Sequence, residues 1–229
     1  MVLEYQSETY SFTMELSPGR ETLRSAAALP GLRSRPAGAG TRPGGQAPVV
    51  DCGRRSGHED RRGGSHGYYS VVLCRRHPGL RSVVLDLPQA IRHAAPLLAR
   101  EGMGDRVVHR AGDATTEDLG TAAFDLVFIA NAVHHFDGPA NRDLARRAAD
   151  ALRPGGLFVI LDFVRPRSPN DAGQVGTLND LFFALTSAAG TWSSEELAEW
   201  QRGAGLEPRK PIRMRTLPDA VIQAAIKPR

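Results

Sequence analysis

Two clusters in the chain carry residue types that can do chemistry. The first is the turn Gly63-Gly64-Ser65-His66-Gly67, followed by a helix-like run and then an apolar strand, Ser82–Leu85, closed by Asp86. Glycines let a backbone pass close to a ligand, and a helix that starts there points free N–H groups and a positive dipole end at it. An acid closing the next strand, roughly 20 residues on, stands where dinucleotide-type folds hold ribose hydroxyls. A nucleoside-binding βαβ unit is therefore the first expectation. The second cluster is Val133-His134-His135-Phe136-Asp137, directly after the apolar run Phe124–Ala130. A histidine there sits at the carboxyl edge of a buried strand, where α/β sheets place their sites. A neutral imidazole can also take up a proton near neutral pH.

Composition narrows the classes of function. The chain has 229 residues, 41% of them hydrophobic, which is enough for one domain with a real core. No apolar run reaches the ~18–20 residues of a membrane span. The N-terminal MVLEYQSETYSF lacks the basic start and apolar core of a signal peptide, so a cytoplasmic protein is expected. Cys52 and Cys74 form no disulfide framework, and neither they nor the scattered histidines have metal-ligand spacing, so no metal is expected. The formal net charge is +4, but the arginines are dispersed and aromatics make up only 6%, which argues against a nucleic-acid partner.

The elements that must position these residues come next. Residues 1–31 are weakly patterned, with a short helix expected at Glu21–Leu29. Residues 32–62 are rich in Arg, Gly and Pro and read as a low-complexity linker or insertion, a disordered or degenerate segment. Their one strand-like piece is Pro48–Cys52. From Gly63 onward strands and helices alternate. Helices are expected at Tyr68–Arg76, Leu87–Arg100, Asn141–Leu152, Leu178–Thr186 and from the capping box Ser193–Glu196 through Trp200. Strands are expected at Ser82–Leu85, Val107–His109, Phe124–Ala130 and Leu157–Leu161, with Pro211–Arg215 and Ala220–Ile226 as a C-terminal antiparallel hairpin. Alternation of this kind gives an α/β, Rossmann-like, doubly wound and mostly parallel sheet.

Three stretches in order, GGSHGYYSVVLCRRHPGLRSVVLDLP, AGDATTEDLGTAAFDLVFIANAVHHF and ALRPGGLFVILD, resemble the class I S-adenosylmethionine-dependent methyltransferases. Within these the chain is most similar to the small-molecule O-methyltransferases that act on aromatic and polyketide hydroxyls. The resemblance covers residue 63 to the C-terminus. It implies S-adenosyl-L-methionine as cofactor, with Gly64 and Gly67 beneath its methionine part. Asp86 and the following Leu87 would hold the ribose, and Asp113 and Ala114 the adenine. It also implies a hydroxylated aromatic or polyketide acceptor, no metal, and His134 as general base in a segment of the form His-acid-aromatic. His135 replaces the usual acid. A phenol has a pKa near 10, so a base that removes its proton as the oxygen attacks is of direct use. Phe182, Phe183 and Trp192 are expected to be core, with an acceptor pocket as the second reading.

The pattern breaks before Gly63, where the family carries an apolar strand ending in an acid. Either Val49–Gly53 supplies that strand with Arg54–Gly63 inserted, or residues 32–62 come from a shifted reading frame. The family's N-terminal helical domain, which makes its homodimer, is reduced to a remnant in residues 1–31. Two rival functions stay open. One is an NAD-dependent oxidoreductase, which the glycine turn and Asp86 would also fit. The other is a non-catalytic, nucleoside-binding paralogue.

Overall fold

A computed structural model describes residues 2–6, 11–15, 46–50, 67–166, 168, 174–214, 217 and 219–229. Strands β1 (Val2–Gln6) and β2 (Ser11–Glu15) pair with each other in an antiparallel ribbon. Where a helical remnant was expected, the described parts of residues 1–31 are thus strands. The helix expected at Glu21–Leu29 lies outside the described residues, as do Gly64 and all of 32–62 except β3 (Gln46–Val50).

That one strand settles where the sheet begins. β3 runs parallel to β4 (Arg81–Asp86) on one side and to β6 (Phe124–Ala130) on the other. The strand-like piece expected at Pro48–Cys52 thus overlaps the central strand, which ends the described stretch at Val50. β5 (Val107–Ala111) pairs parallel to β4, and β7 (Leu152–Phe163) parallel to β6. The order is β5-β4-β3-β6-β7-β10-β8, with β10 (Ala220–Ile226) antiparallel to β7, to β8 (Glu207–Pro208) and to β9 (Ile212–Arg213). This is the expected Rossmann-like, mostly parallel sheet with an antiparallel C-terminal hairpin. From β3 the chain winds outward to β4 and β5, then returns and winds the other way through β6 and β7. The reversal between β3 and β6 is the point where such sheets open a crevice for a ligand.

Both faces are covered, which explains why β6 is apolar at every position but Asp125. Alternate residues go to opposite faces. Val127 and Ile129 join Phe158 and Ile160 on one face, while Leu126 and Phe128 join Val159 and Leu161 on the other. On the first face lie α3 (Gly138–Ala151), through Leu144, Ala145 and Ala148, and α5 (Ser194–Gly203), through Leu197 and Trp200. On the second lies α1 (Tyr68–Arg76), whose Tyr69 ring meets Phe128 edge-on at 5.3 Å. α2 (Pro88–Arg100) closes the outer edge through Leu98, and α4 (Gln174–Thr186) lies between β7 and α5 in the chain.

Helix ends follow local chemistry. Ser193 and Glu196 form a reciprocal capping box, with the Ser193 side chain accepting from the Glu196 N–H and the Glu196 carboxylate accepting from the Ser193 N–H. Asp137 caps α3 by accepting from the Ala140 N–H at 2.8 Å. Asp125, set inside an apolar strand, points outward and pairs with Arg153 at 2.9 Å. β7 starts sooner than expected, at Leu152. The Pro154-Gly155-Gly156 stretch that was expected to separate helix from strand is taken up in a shift of register, from Phe124↔Leu152 to Leu126↔Leu157. Phe158 is fully enclosed between the sheet and the helices. Phe158→Ala should lower the free energy of unfolding by about 3–5 kcal/mol, read from urea titration, because the layers around it cannot close the gap.

Candidate active site

The carboxyl ends of β4, β5, β6 and β7 gather the site. Asp86 ends β4 and is 2% exposed. One of its oxygens accepts from the Leu87 N–H at 2.7 Å, which turns the chain into α2. Pro88 opens that helix, and Leu87 precedes it in extended conformation, as the residue before a proline prefers. The Asp86 carbonyl takes the Gly112 N–H at 2.9 Å, which ties the end of β4 to the loop carrying Asp113. Gly67 stands at the N-terminus of α1 with φ +75°, a conformation that suits glycine. A Cβ there would come within 3.3 Å of Val84, so the turn packs closely on β4.

Asp113 is largely engaged in its own turn. Its Oδ1 accepts from the Thr115 N–H at 2.9 Å and from the Thr115 hydroxyl at 2.7 Å. Ala114 is buried, and its carbonyl accepts from Arg147 at 2.6 Å. The structure places Asp86 and Leu87 at the carboxyl end of β4 and Asp113 and Ala114 just after β5, tied together by the Gly112–Asp86 bond, while Gly67 packs against Val84, Leu98 and Val107. Gly64 lies outside the described residues.

His134 follows β6 in a short 3-10 turn, Val133–His135, and is 3% exposed. Its Nδ1 lies 2.7 Å from Oδ1 of Asp162, near the end of β7. Asp162 is itself 1% exposed, and three backbone amides point at it: Ala132 and Val133 donate to Oδ2 at 3.1 and 3.0 Å, and Phe163 donates to Oδ1 at 2.8 Å. With three amides donating, the fourth hydrogen comes from His134 Nδ1. The imidazole is therefore held as the Nδ1–H tautomer, with its Nε2 lone pair turned away. Nε2 meets His135 Nε2 at 3.1 Å, and the Phe183 ring of α4 stacks on His134 at 3.7 Å.

Further contacts fix the turn. Asn141 donates to the carbonyls of Val133 and Phe136, Trp192 donates to Val133 O at 3.1 Å, and Ser187 donates to His134 O at 2.8 Å. Of the rings expected as core, Trp192 packs against the core beside Trp200, while Phe183 is partly exposed and stacks on His134.

Asp162 had not been singled out. The signal was available, since an acid closing the apolar run Leu157–Leu161 repeats the pattern of Asp86 closing Ser82–Leu85. Cys74 is buried, and burial pushes its thiol upward, opposed in part by Arg106; it is not poised as a nucleophile. Among the described residues no group of acids, histidines and cysteines could hold a metal ion, and no helix is long and apolar enough to cross a membrane.

Fold and site together define an α/β domain with a buried acid at the end of β4 and a buried acid–imidazole pair at the ends of β6 and β7. The chain belongs to the O-methyltransferase family, whose domain model matches residues 60–207. It is 28% identical over 155 residues to a 3-hydroxy-5-methyl-1-naphthoate 3-O-methyltransferase of Streptomyces sahachiroi, a match covering 66% of this chain and 43% of that protein. It is 26% identical over 156 residues to an L-tyrosine C(3)-methyltransferase of Streptomyces lavendulae, covering 66% and 39%. Among solved structures it resembles the apo form of the S-adenosylmethionine-dependent methyltransferase SibL at 25% identity and a TM-score of 0.63, covering 80% of this chain and 51% of that one. The chain spans less than half the length of these curated relatives.

Because Asp162 satisfies three backbone amides, two of them buried, as well as His134, its loss leaves several donors unpaired at once. Asp162→Ala should cost about 3 kcal/mol or more of stability in urea titration, and a loss below ~1 kcal/mol would show that the loop does not depend on it.

Proposed function

We propose that the protein is an S-adenosylmethionine-dependent O-methyltransferase that methylates a hydroxyl of an aromatic or polyketide-type small molecule, with His134 as general base. The observation that carries this is the buried Asp162–His134 pair at 2.7 Å, placed at the carboxyl edge of the sheet in a chain of the O-methyltransferase family. The residues present fit the donor. A carboxylate such as Asp86, buried at a strand end, has two oxygens that can accept from two ribose hydroxyls. The left-handed Gly67, packed on Val84, suits a close backbone approach to the methionine part; Gly64 belongs to the same glycine motif in the sequence, and Leu87 follows Asp86 beside the ribose. The Asp113–Ala114 turn would border the adenine. What S-adenosylmethionine supplies when bound is a methyl group on a sulfonium, an electrophile that needs no metal.

The chain's own residues then do three things. They hold the acceptor hydroxyl in line, an effect worth up to ~7–11 kcal/mol in well-oriented systems. They present the Nε2 lone pair of His134, oriented through Nδ1 by Asp162, to receive the hydroxyl proton as the oxygen attacks. They stabilise the imidazolium that results, because Asp162 lies against its other nitrogen. Phe183, stacked on the imidazole, extends an aromatic surface toward the acceptor.

A second reading is methyl transfer to a ring carbon, as the name of the L-tyrosine C(3)-methyltransferase relative describes for that protein. It would use the same base, since a phenol that has lost its proton is also nucleophilic at the adjacent carbon. Incubation with methyl-labelled S-adenosylmethionine and a panel of hydroxynaphthoates and phenols should give a methyl ether, identified by mass spectrometry. His134→Ala should lower turnover by about 10²–10⁴-fold while leaving the affinity for S-adenosylhomocysteine unchanged. Ring-methylated product would favour the second reading, and unchanged turnover in the variant would remove His134 from the mechanism.

A further inference from the structure

The loop that follows β5 closes on itself. The Asp113 carbonyl accepts from the Thr116 and Glu117 N–H groups at 3.0 and 2.8 Å, and its carboxylate accepts from the Thr115 N–H. The carbonyls of Ala114 and Glu117 take their donor from outside the loop, from Arg147 on α3. Arg147 Nη2 donates to the Ala114 carbonyl at 2.6 Å and Nη1 to the Glu117 carbonyl at 2.9 Å, while Nε donates to Asp143 at 2.8 Å. All three guanidinium nitrogens are thus bonded, and the side chain is 16% exposed. A charged donor makes a stronger bond than a neutral one, and the planar fork fixes its direction. Asp143 holds the Nε side of that fork, so the two remaining nitrogens point at the loop.

The anchor behind Arg147 is firm. α3 packs on the sheet through Leu144, Ala145 and Ala148. Asn141, about 9 Å back along the same helix at 1.5 Å per residue, donates to the carbonyls of Val133 and Phe136 on either side of His134. One helix therefore fastens both the His134 turn and the loop after β5. The hold reaches β4 as well. The Glu117 side chain lies over Gly112, where a Cβ would have no room, and the Gly112 N–H donates to the Asp86 carbonyl at 2.9 Å.

From this we infer that Arg147 is a positioning residue for the methyl donor, holding the adenine side of its site in the same frame as the His134 turn. The inference rests on the function proposed above, in which Asp113 and Ala114 border the adenine and Asp86 holds the ribose. Arg147 acts through the loop and not on the donor: it fixes the edge against which the amino-bearing side of the adenine is read. A lysine could not replace it, because one ammonium on a flexible stem does not bridge two carbonyls and a carboxylate in a fixed plane.

Amide hydrogen exchange and calorimetry test this together. In Arg147→Met, which keeps the apolar stem without the donors, the Gly112, Thr116 and Glu117 amides should exchange about tenfold faster than in the wild type, with the amides of β6 and β7 unchanged. Arg147→Lys should show the same loss in milder form, and it serves if the Met variant does not fold. The ligands are S-adenosylhomocysteine and S-inosylhomocysteine, which carries a carbonyl in place of the adenine amine. The wild type should prefer the adenine form by about tenfold or more. The variants should lose about tenfold in affinity for S-adenosylhomocysteine and most of that preference. Equal weakening of the two ligands would make Arg147 a merely structural residue and overturn the inference. So would unchanged loop exchange in a folded variant, or a wild type without the preference. A wild-type chain that binds neither ligand, with its loop amides still responding to Arg147, defeats the proposed function and the donor-positioning role with it.

Discussion

The carboxylate of Asp162 is the constraint on which the site depends. A 1% exposed acid is tolerable only when its oxygens are supplied with donors. Here the donors are the backbone amides that follow β6 and β7, together with the imidazole of His134. One side chain therefore closes the turn after β6, sets the tautomer of the histidine and holds its ring in place. The surrounding bonds from Asn141, Trp192 and Ser187 to carbonyls of the same turn act in the same direction. A group fixed this tightly keeps the alignment that a proton transfer needs, because little motion has to be arrested when a substrate arrives.

The topology explains why His134 and Asp86 stand at the same edge of the sheet. β3 occupies the centre of the sheet, and the winding reverses between β3 and β6. Asp86 and the Asp113 turn lie at the ends of the strands wound one way, and His134 and Asp162 at the ends of those wound the other way. The reversal of the winding, where such sheets place ligands, lies between them. The bond from Gly112 to the Asp86 carbonyl keeps the first rim together, and the Asp162 bonds keep the second. The packing of the two sheet faces, through Phe158 and Ile160 on one and Val159 and Leu161 on the other, holds the rims at fixed separation.

Much of this was legible in the sequence because its signals were local. The strand Phe124–Ala130 and the helix Tyr68–Arg76 stand with the bounds expected, since an apolar run between turn residues and a glycine before a helix each point to one outcome. Asp86 and His134 were singled out by their place after apolar strands. Asp162 was not, because its importance comes from amides nearly thirty residues earlier, at Ala132 and Val133, that only the parallel pairing of β6 and β7 brings within reach. Phe183 was read as core for a related reason, since its helical spacing looks the same whether the ring faces other apolar side chains or an imidazole, whereas Trp192 does pack against the core, edge-on to Trp200 at 5.0 Å. The central strand was visible only as the strand-like piece Pro48–Cys52 in a stretch rich in Arg, Gly and Pro, and its place at the sheet centre comes from its register between β4 and β6. The register shift at Pro154–Gly156 likewise depends on a neighbour, here β6, that no local pattern reveals.

The central claim is that these strand ends hold a nucleoside methyl donor beside the His134 base. Isothermal titration calorimetry with S-adenosylhomocysteine tests it most directly, with NAD titrated in parallel and Asp86→Ala as the control chain. Saturable binding of one S-adenosylhomocysteine per chain is expected, weakened at least a hundredfold by the loss of Asp86, with no heat from NAD. Binding of NAD in place of S-adenosylhomocysteine, or of neither, would contradict it.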